Sequence, residues 1–185
     1  MLTTLDQPAT THAEYATFWK RLLAAVLDFI FTLPLFFGTS FFLSFNPNFN
    51  GYLVMAVIYM LYRPVMEGLF GATLGKMACK LIVRRADGGA IGLQEALLRF
   101  VPWLVPSMIG IYYASKIFAL PGYLEVDGFV EMGLFMQGHM DELSATGNLA
   151  NASQLIPLLS ALVILFTARN QSAHDLLAQT VVLEK

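Results

Sequence analysis

Asp28 is a carboxylate inside an apolar run, Leu22 to Phe45, and Arg21 lies seven residues before it. Seven residues is close to two helical turns, so both side chains fall on one face of one helix. An acid at hydrocarbon depth costs roughly 2.5–3.5 kcal/mol on insertion scales. A chain that keeps one points it at a partner, a wet cavity or a transport path. Arg63 and Glu67 form a second such pair, i and i+4 on one helical face, with Pro64 between them removing a backbone donor. Counted at 1.5 Å per residue, Asp28 lies about 9 Å below the surface at the start of its helix, and Arg63 about 10 Å below the same surface. The depths predict a cluster of Asp28, Arg63 and Glu67 with net charge −1, balanced by one proton or cation. Two readings follow: a proton or ion site, or an Arg63 that simply neutralises an acid and pins two helices together.

These residues need membrane helices to hold them. Of the 185 residues 57% are hydrophobic and only 13% charged, with mean hydropathy +0.62; a soluble domain carries about 25% charged residues. Four spans are expected, at about 22–45, 52–70, 100–120 and 151–168. The loop Asn46 to Gly51 has no charge, and 121–150 holds the acids Glu125, Asp127, Glu131, Asp141 and Glu142 without a Lys or Arg. Lys20, Arg21, Lys76, Lys80, Arg84, Arg85, Arg99 and Arg169 flank the opposite ends. Positive-inside logic puts both termini and the 71–99 segment in the cytoplasm. Residues 1–19 read as a polar cytoplasmic segment and not as a signal peptide.

The fold expected is therefore an all-α membrane protein of four transmembrane helices with two small additions. Asp87-Gly88 between β-branched runs signals a cytoplasmic β-hairpin, and Thr180-Val-Val-Leu183 is a candidate third strand. In the external loop 121–150, Met132, Met136 and Met140 recur every four residues among Phe129, Leu134, Phe135 and Leu143. That pattern predicts an amphipathic helix on the outer leaflet, with thioether binding of Cu(I) as the rival reading. Pro102 and Pro106 fall in the first turns of the third span.

Other chemistry is thin. His12, His139 and His174 lie on opposite sides of the membrane and make no common site, and the single Cys79 gives no ligand spacing and reads as packing. Gly75-Lys76 lacks the upstream glycine and the following Ser/Thr of a phosphate loop. Gly71, Gly75 and Cys79 instead suggest a small-residue stripe for close helix approach. No metal, cofactor or nucleic acid is implied, and no nucleophile–base pair marks an enzyme. Arg21 has two readings, snorkelling to headgroups or pairing with Asp175. Asp175 also has two, that pair or the capping box Ser172-Ala-His174-Asp175.

Arg21, Asp28 and the late His174-Asp175, with Glu67, Gly71-Ala-Thr-Leu-Gly75-Lys76 and Asp87-Gly88 between them, resemble the RDD family of bacterial membrane proteins from Phe18 to Val182, which implies an RDD-like membrane domain at 20–182. The family takes its name from one arginine and two aspartates at such places. The resemblance implies a multi-pass inner-membrane protein and a transporter, some members being assigned cation/proton antiport. The function expected is a small secondary transporter, exchanging a cation or small solute against protons through Asp28, in the lipid bilayer and as a homo-oligomer. The alternative is a non-catalytic membrane scaffold or assembly partner.

Overall fold

A computed structural model describes residues 14–185. Four long apolar helical runs dominate it: α1 (Phe18–Ser44), α2 (Phe49–Phe70), α4 (Leu93–Phe118), and a run from Met140 to Phe166 made of α6 (Met140–Ser153), α7 (Leu155–Leu162) and a closing 3-10 turn. Each is long enough to cross about 30 Å of hydrocarbon. Their most apolar stretches are only 11–22% buried within the chain. Large side chains such as Phe29, Phe37, Val54, Leu69, Met108 and Leu159 stand exposed around the outside. An apolar belt of that extent is a lipid-facing surface. The chain is a multi-pass membrane protein.

Local chemistry sets the helix ends. Thr17 and Asn48 cap α1 and α2 with side-chain oxygens that accept from Lys20 N and Gly51 N. At the other end of α2, Gly71 takes a left-handed conformation at φ 70°, which glycine adopts without a Cβ penalty. The chain then turns back through α3 (Leu74–Ala78), which packs on α1. Gly71 and Gly75 thus act separately, one as a helix stop and one as a contact, and not as a stripe on one helix.

The strands depart from the expected hairpin. β1 (Leu81–Arg85) pairs antiparallel with β2 (Thr180–Glu184), Val83 opposite Val182. The Asp87-Gly88 turn is present, with Gly88 at φ 91°. Its return arm makes only the isolated bridge Arg84–Ala90, because Gly92 already begins α4. Glu95 caps that start by accepting from Gly92 N at 2.8 Å. Tyr15 bridges Leu183 on the other side of β2, so the residues leading into α1 meet the C-terminal strand at one end of the bundle. Leu81, Val83, Val182, Ala16 and Ala24 form the core there.

All four helical runs begin before their expected spans, the third and fourth by the most. The α4 helix starts at Leu93, which makes Pro102 and Pro106 interior prolines. The fourth run starts at Met140, eleven residues before the expected 151. Asp141 and Glu142 lie in its first turn, where the positive end of the helix dipole favours acids, so residues that look like loop extend the helix. Gly147 lets α6 approach Tyr113 of α4, whose ring would lie 3.4 Å from a Cβ there.

At the end away from the sheet, α5 (Phe129–Gly138) seals the bundle. Met132 and Met136 pack with Tyr123, Phe135 and Leu143, and Ser44 Oγ donates to Met132 Sδ at 2.8 Å. Met140 is 60% exposed and borders a surface cavity together with Met136. Met132 and Met136 serve as packing residues at this end of the bundle. The α5 helix is less amphipathic than expected, since Phe129, Val130 and Leu134 face outward.

Candidate functional site

Three buried acids lie toward the sheet end of the bundle, each held differently. Asp28 on α1 accepts from Tyr62 Oη of α2 at 2.9 Å, from Thr73 Oγ1 at 2.6 Å and from Gly75 N at 2.7 Å. All three donors are neutral. Glu67 on α2 is bound by two cations, Lys76 Nζ of α3 and Arg99 Nε of α4, the latter at 2.7 Å. Asp175, in the short helix α8 (Ala173–Leu177), is bound by Arg21 Nη1 at 2.5 Å and by Arg99 Nη1. Its Oδ2 also accepts from Ser172 N and Ser172 Oγ, at 2.9 and 2.6 Å. The capping box and the Arg21 pair thus coexist on one oxygen, while the other serves Arg99.

Arg99 joins the two ion-paired acids. It is 1% exposed and its guanidinium spans Glu67, Asp175 and Thr180 Oγ1. A planar fork of five donors suits this task, and a lysine has no equivalent geometry. The network ties α1, α2, α3, α4, α8 and β2 into one unit. It explains why the polar C-terminal segment docks against membrane helices.

Arg63 corrects the expected cluster. It lies close to Asp28 along the bundle, both lining the same two cavities, but it pairs with neither Asp28 nor Glu67. Its guanidinium instead stacks over Trp103 of α4, 4.1 Å from the ring centroid. Glu67 turns toward Arg99 and Lys76, and Asp28 toward the α3 turn. The net −1 triad of Asp28, Arg63 and Glu67 is therefore not formed.

The two cavities meet along this line. The first, about 150 Å³, is lined by Arg21, Asp28, Arg63, Lys76, Ser172 and His174 among others. The second, about 170 Å³, runs past Asp28 and Arg63 to Thr32, Tyr59 and Ser107. Asp28, Arg63, Ala25 and Trp103 border both. Met60 also lines the second cavity, and its carbonyl lacks a helical donor because residue 64 is proline. Together the cavities run from the neighbourhood of the C-terminal segment toward the bundle middle, with mostly apolar walls into which Asp28, Arg63 and a few other polar groups are set.

His174 lines the first cavity. Its Nδ1 lies 3.0 Å from Ser160 Oγ and its Nε2 2.9 Å from Ser172 Oγ, with the ring edge-on to Trp103. Burial pushes its pKa down to about 3, against the pull of Asp175. Burial also lowers Lys76 to about 8, outweighing the attraction of Glu67. For Asp175 burial acts upward, but Arg99 and Arg21 prevail and hold it well below the usual carboxylate range. No group of three or more His, Cys, Asp or Glu able to hold a metal occurs among the described residues.

A pH prediction follows from His174. Folded, it stays neutral to about pH 3, whereas unfolded it takes a proton near 6.5. Between those values the unfolded state binds more protons, so stability falls as pH drops from about 6.5 toward 3. Thermal midpoints of the detergent-solubilised chain should decline over that window, and His174→Gln should flatten the decline. An identical slope in the variant would contradict it.

Arg99 is the residue that sequence reasoning missed, treated there only as a flanking charge. Its signal was the helix start Gly92-Leu-Gln-Glu95, which places it well inside α4. Tyr62 and Thr73 gave no signal, since hydroxyls near a span are common.

Searches among curated proteins and among solved structures returned no match. A family model does match, described as the RDD family, and covers residues 15–179. That stretch contains Asp28 and the ion-paired residues Arg21, Glu67, Lys76, Arg99 and Asp175, and ends one residue before Thr180. The chain belongs to the RDD family.

Proposed function

We propose that this protein is a small secondary transporter that couples a solute to protons through Asp28. One observation carries the reading: of three buried acids, Asp28 alone is held entirely by neutral donors, and it borders both cavities. Glu67 and Asp175 are locked by cations, and a proton arriving at either would have to displace an ion pair. The hydroxyls of Tyr62 and Thr73 can rotate, donating to the carboxylate or accepting from the carboxylic acid. Both protonation states of Asp28 are then satisfied in place. Neutralising it lowers the cost of exposing this part of the helix to a different side.

The charge pattern supports an inner (plasma) membrane protein with the sheet and both termini in the cytoplasm, and α5 external. Four helices enclose little volume, which favours a homo-oligomer as the working unit.

Proteoliposomes test the reading. A pH gradient imposed across the wild-type chain should drive solute-dependent proton flux. Asp28→Asn should lower that flux at least about tenfold while keeping its thermal midpoint near wild type, since Asn retains the acceptor for two of the three donors. Flux that persists in Asp28→Asn with unchanged pH dependence excludes Asp28 as the proton site. No flux with any common cation or anion supports the second reading, a membrane scaffold. The Arg21–Asp175–Arg99–Glu67–Lys76 network favours that alternative, because it fixes a cytoplasmic-type docking surface rigidly onto the helices.

A further inference from the structure

The sequence led to a cluster short of one positive charge; the structure holds the reverse. Around the first cavity and its network stand the carboxylates of Asp28, Glu67 and Asp175, against Arg21, Arg63, Lys76 and Arg99. Formally one cation is in excess. Two guanidinium groups on that cavity also have donors to spare. Arg21 gives Nη1 to Asp175, but its Nε and Nη2 are buried with no hydrogen-bond partner among the described residues. The Arg63 guanidinium makes no hydrogen bond or ion pair among the described residues, and its contact with the Trp103 ring leaves its N–H donors without an oxygen partner.

A guanidinium with unmet donors at this depth costs free energy that an oxygen anion would offset. The planar fork of a guanidinium also matches the two oxygens of a carboxylate or phosphate. The rest of the wall, Phe18, Leu22, Ala161 and Ile164, is apolar and suits a short carbon skeleton or the start of an acyl chain.

We propose that the cavity between α1, α2, α4 and α8 binds one oxyanion, a carboxylate or a phosphate, through the free donors of Arg63 and Arg21. The anion supplies the charge that Arg63 lacks. As the solute of the transport cycle it rests on the reading above. As a bound ligand it stands without it.

Equilibrium binding by the full chain in phosphatidylcholine nanodiscs tests the site. Thermal unfolding is followed in sodium chloride, sodium phosphate and sodium acetate at equal ionic strength, and separately in nanodiscs containing phosphatidylglycerol with chloride only. A ligand that binds the folded state raises the midpoint with concentration. A rise with phosphate or acetate identifies a free oxyanion, and a rise confined to phosphatidylglycerol identifies a lipid headgroup. In either case Arg63→Gln should weaken the apparent affinity at least about tenfold. Arg63→Lys, which keeps the charge but not the fork, should lose only part of it. Each variant is compared with itself in chloride, so a general loss of stability does not imitate the effect. Unchanged midpoints in every arm overturn the proposal, as does an affinity that Arg63→Gln leaves intact. The assay needs no gradient: binding without flux sustains the site and removes transport, whereas proton-coupled flux without binding does the opposite.

Discussion

Arg99→Leu is expected to be the most damaging single substitution in this chain. The guanidinium is 1% exposed and shared by Glu67 and Asp175, both themselves almost fully buried. Removing one partner of a buried ion pair costs about 3–5 kcal/mol, because the charge left behind keeps its desolvation penalty. Here two acids are affected, although Glu67 keeps Lys76 and Asp175 keeps Arg21 and Ser172. The variant should accumulate poorly in membranes, and in detergent its thermal midpoint should lie well below wild type. Arg99→Lys should fall between them, since a point charge reaches one acid well but not both. A midpoint for Arg99→Leu close to wild type would show that the network contributes little to stability.

Gly75→Ala should be nearly as severe, for a steric reason. A Cβ at this position would lie 2.1 Å from the carbonyl oxygen of Ala24 and 2.7 Å from Asp28 N, both backbone atoms that cannot swing aside. The α3 helix would have to move off α1, taking Gly75 N and Thr73 Oγ1 away from Asp28. Overpacking of this kind costs about 1–3 kcal/mol, and the two released hydrogen bonds add to it. Thermal unfolding of Gly75→Ala in the wild-type and Asp28→Asn backgrounds separates these contributions. Coupling between sites in contact should make the double variant less damaged than the sum of the single ones. Simple additivity would mean that α3 seats on α1 without help from Asp28.

The framework was readable because it depends on local pattern. Apolar runs of span length are short-range signals, and they set three of the four helices to within a few residues at most ends, whereas Gly71, read as part of a packing stripe, proved to be a helix stop. Asp28 was also conspicuous, as a charge in an apolar run has no ordinary explanation. Partner choice was not readable. Depth counting put Arg63 beside Asp28 along the bundle, but depth says nothing about rotation around the helix, and Trp103 on α4 captured the guanidinium. The hydroxyls that hold Asp28 arrive from α2 and from the turn into α3, elements whose approach depends on Gly71 and Gly75 together. Arg99 was hidden by its place just before the expected span, although its helix was expected from Gln94. With the third span begun at Phe100 it looked like a flank, whereas from Leu93 it lies almost two turns into the helix. The strand exchange was hidden for a similar reason: Asp87-Gly88 encodes a turn, but the preference of β1 for the distant Thr180–Glu184 over Ala90 is a tertiary choice.

Asp175 lies 76 residues after Arg99 and 154 after Arg21. A ribosome adding ~5–20 residues per second needs roughly 4–15 s to travel from Arg99 to Asp175. Through that interval the nascent chain carries two arginines whose shared counter-charge has not been synthesised, while its helices are already entering the bilayer. The last ion pairs therefore close only once the chain has been made as far as Asp175. A chain cut short before Asp175 would keep Arg21 without its carboxylate and Arg99 with Glu67 alone.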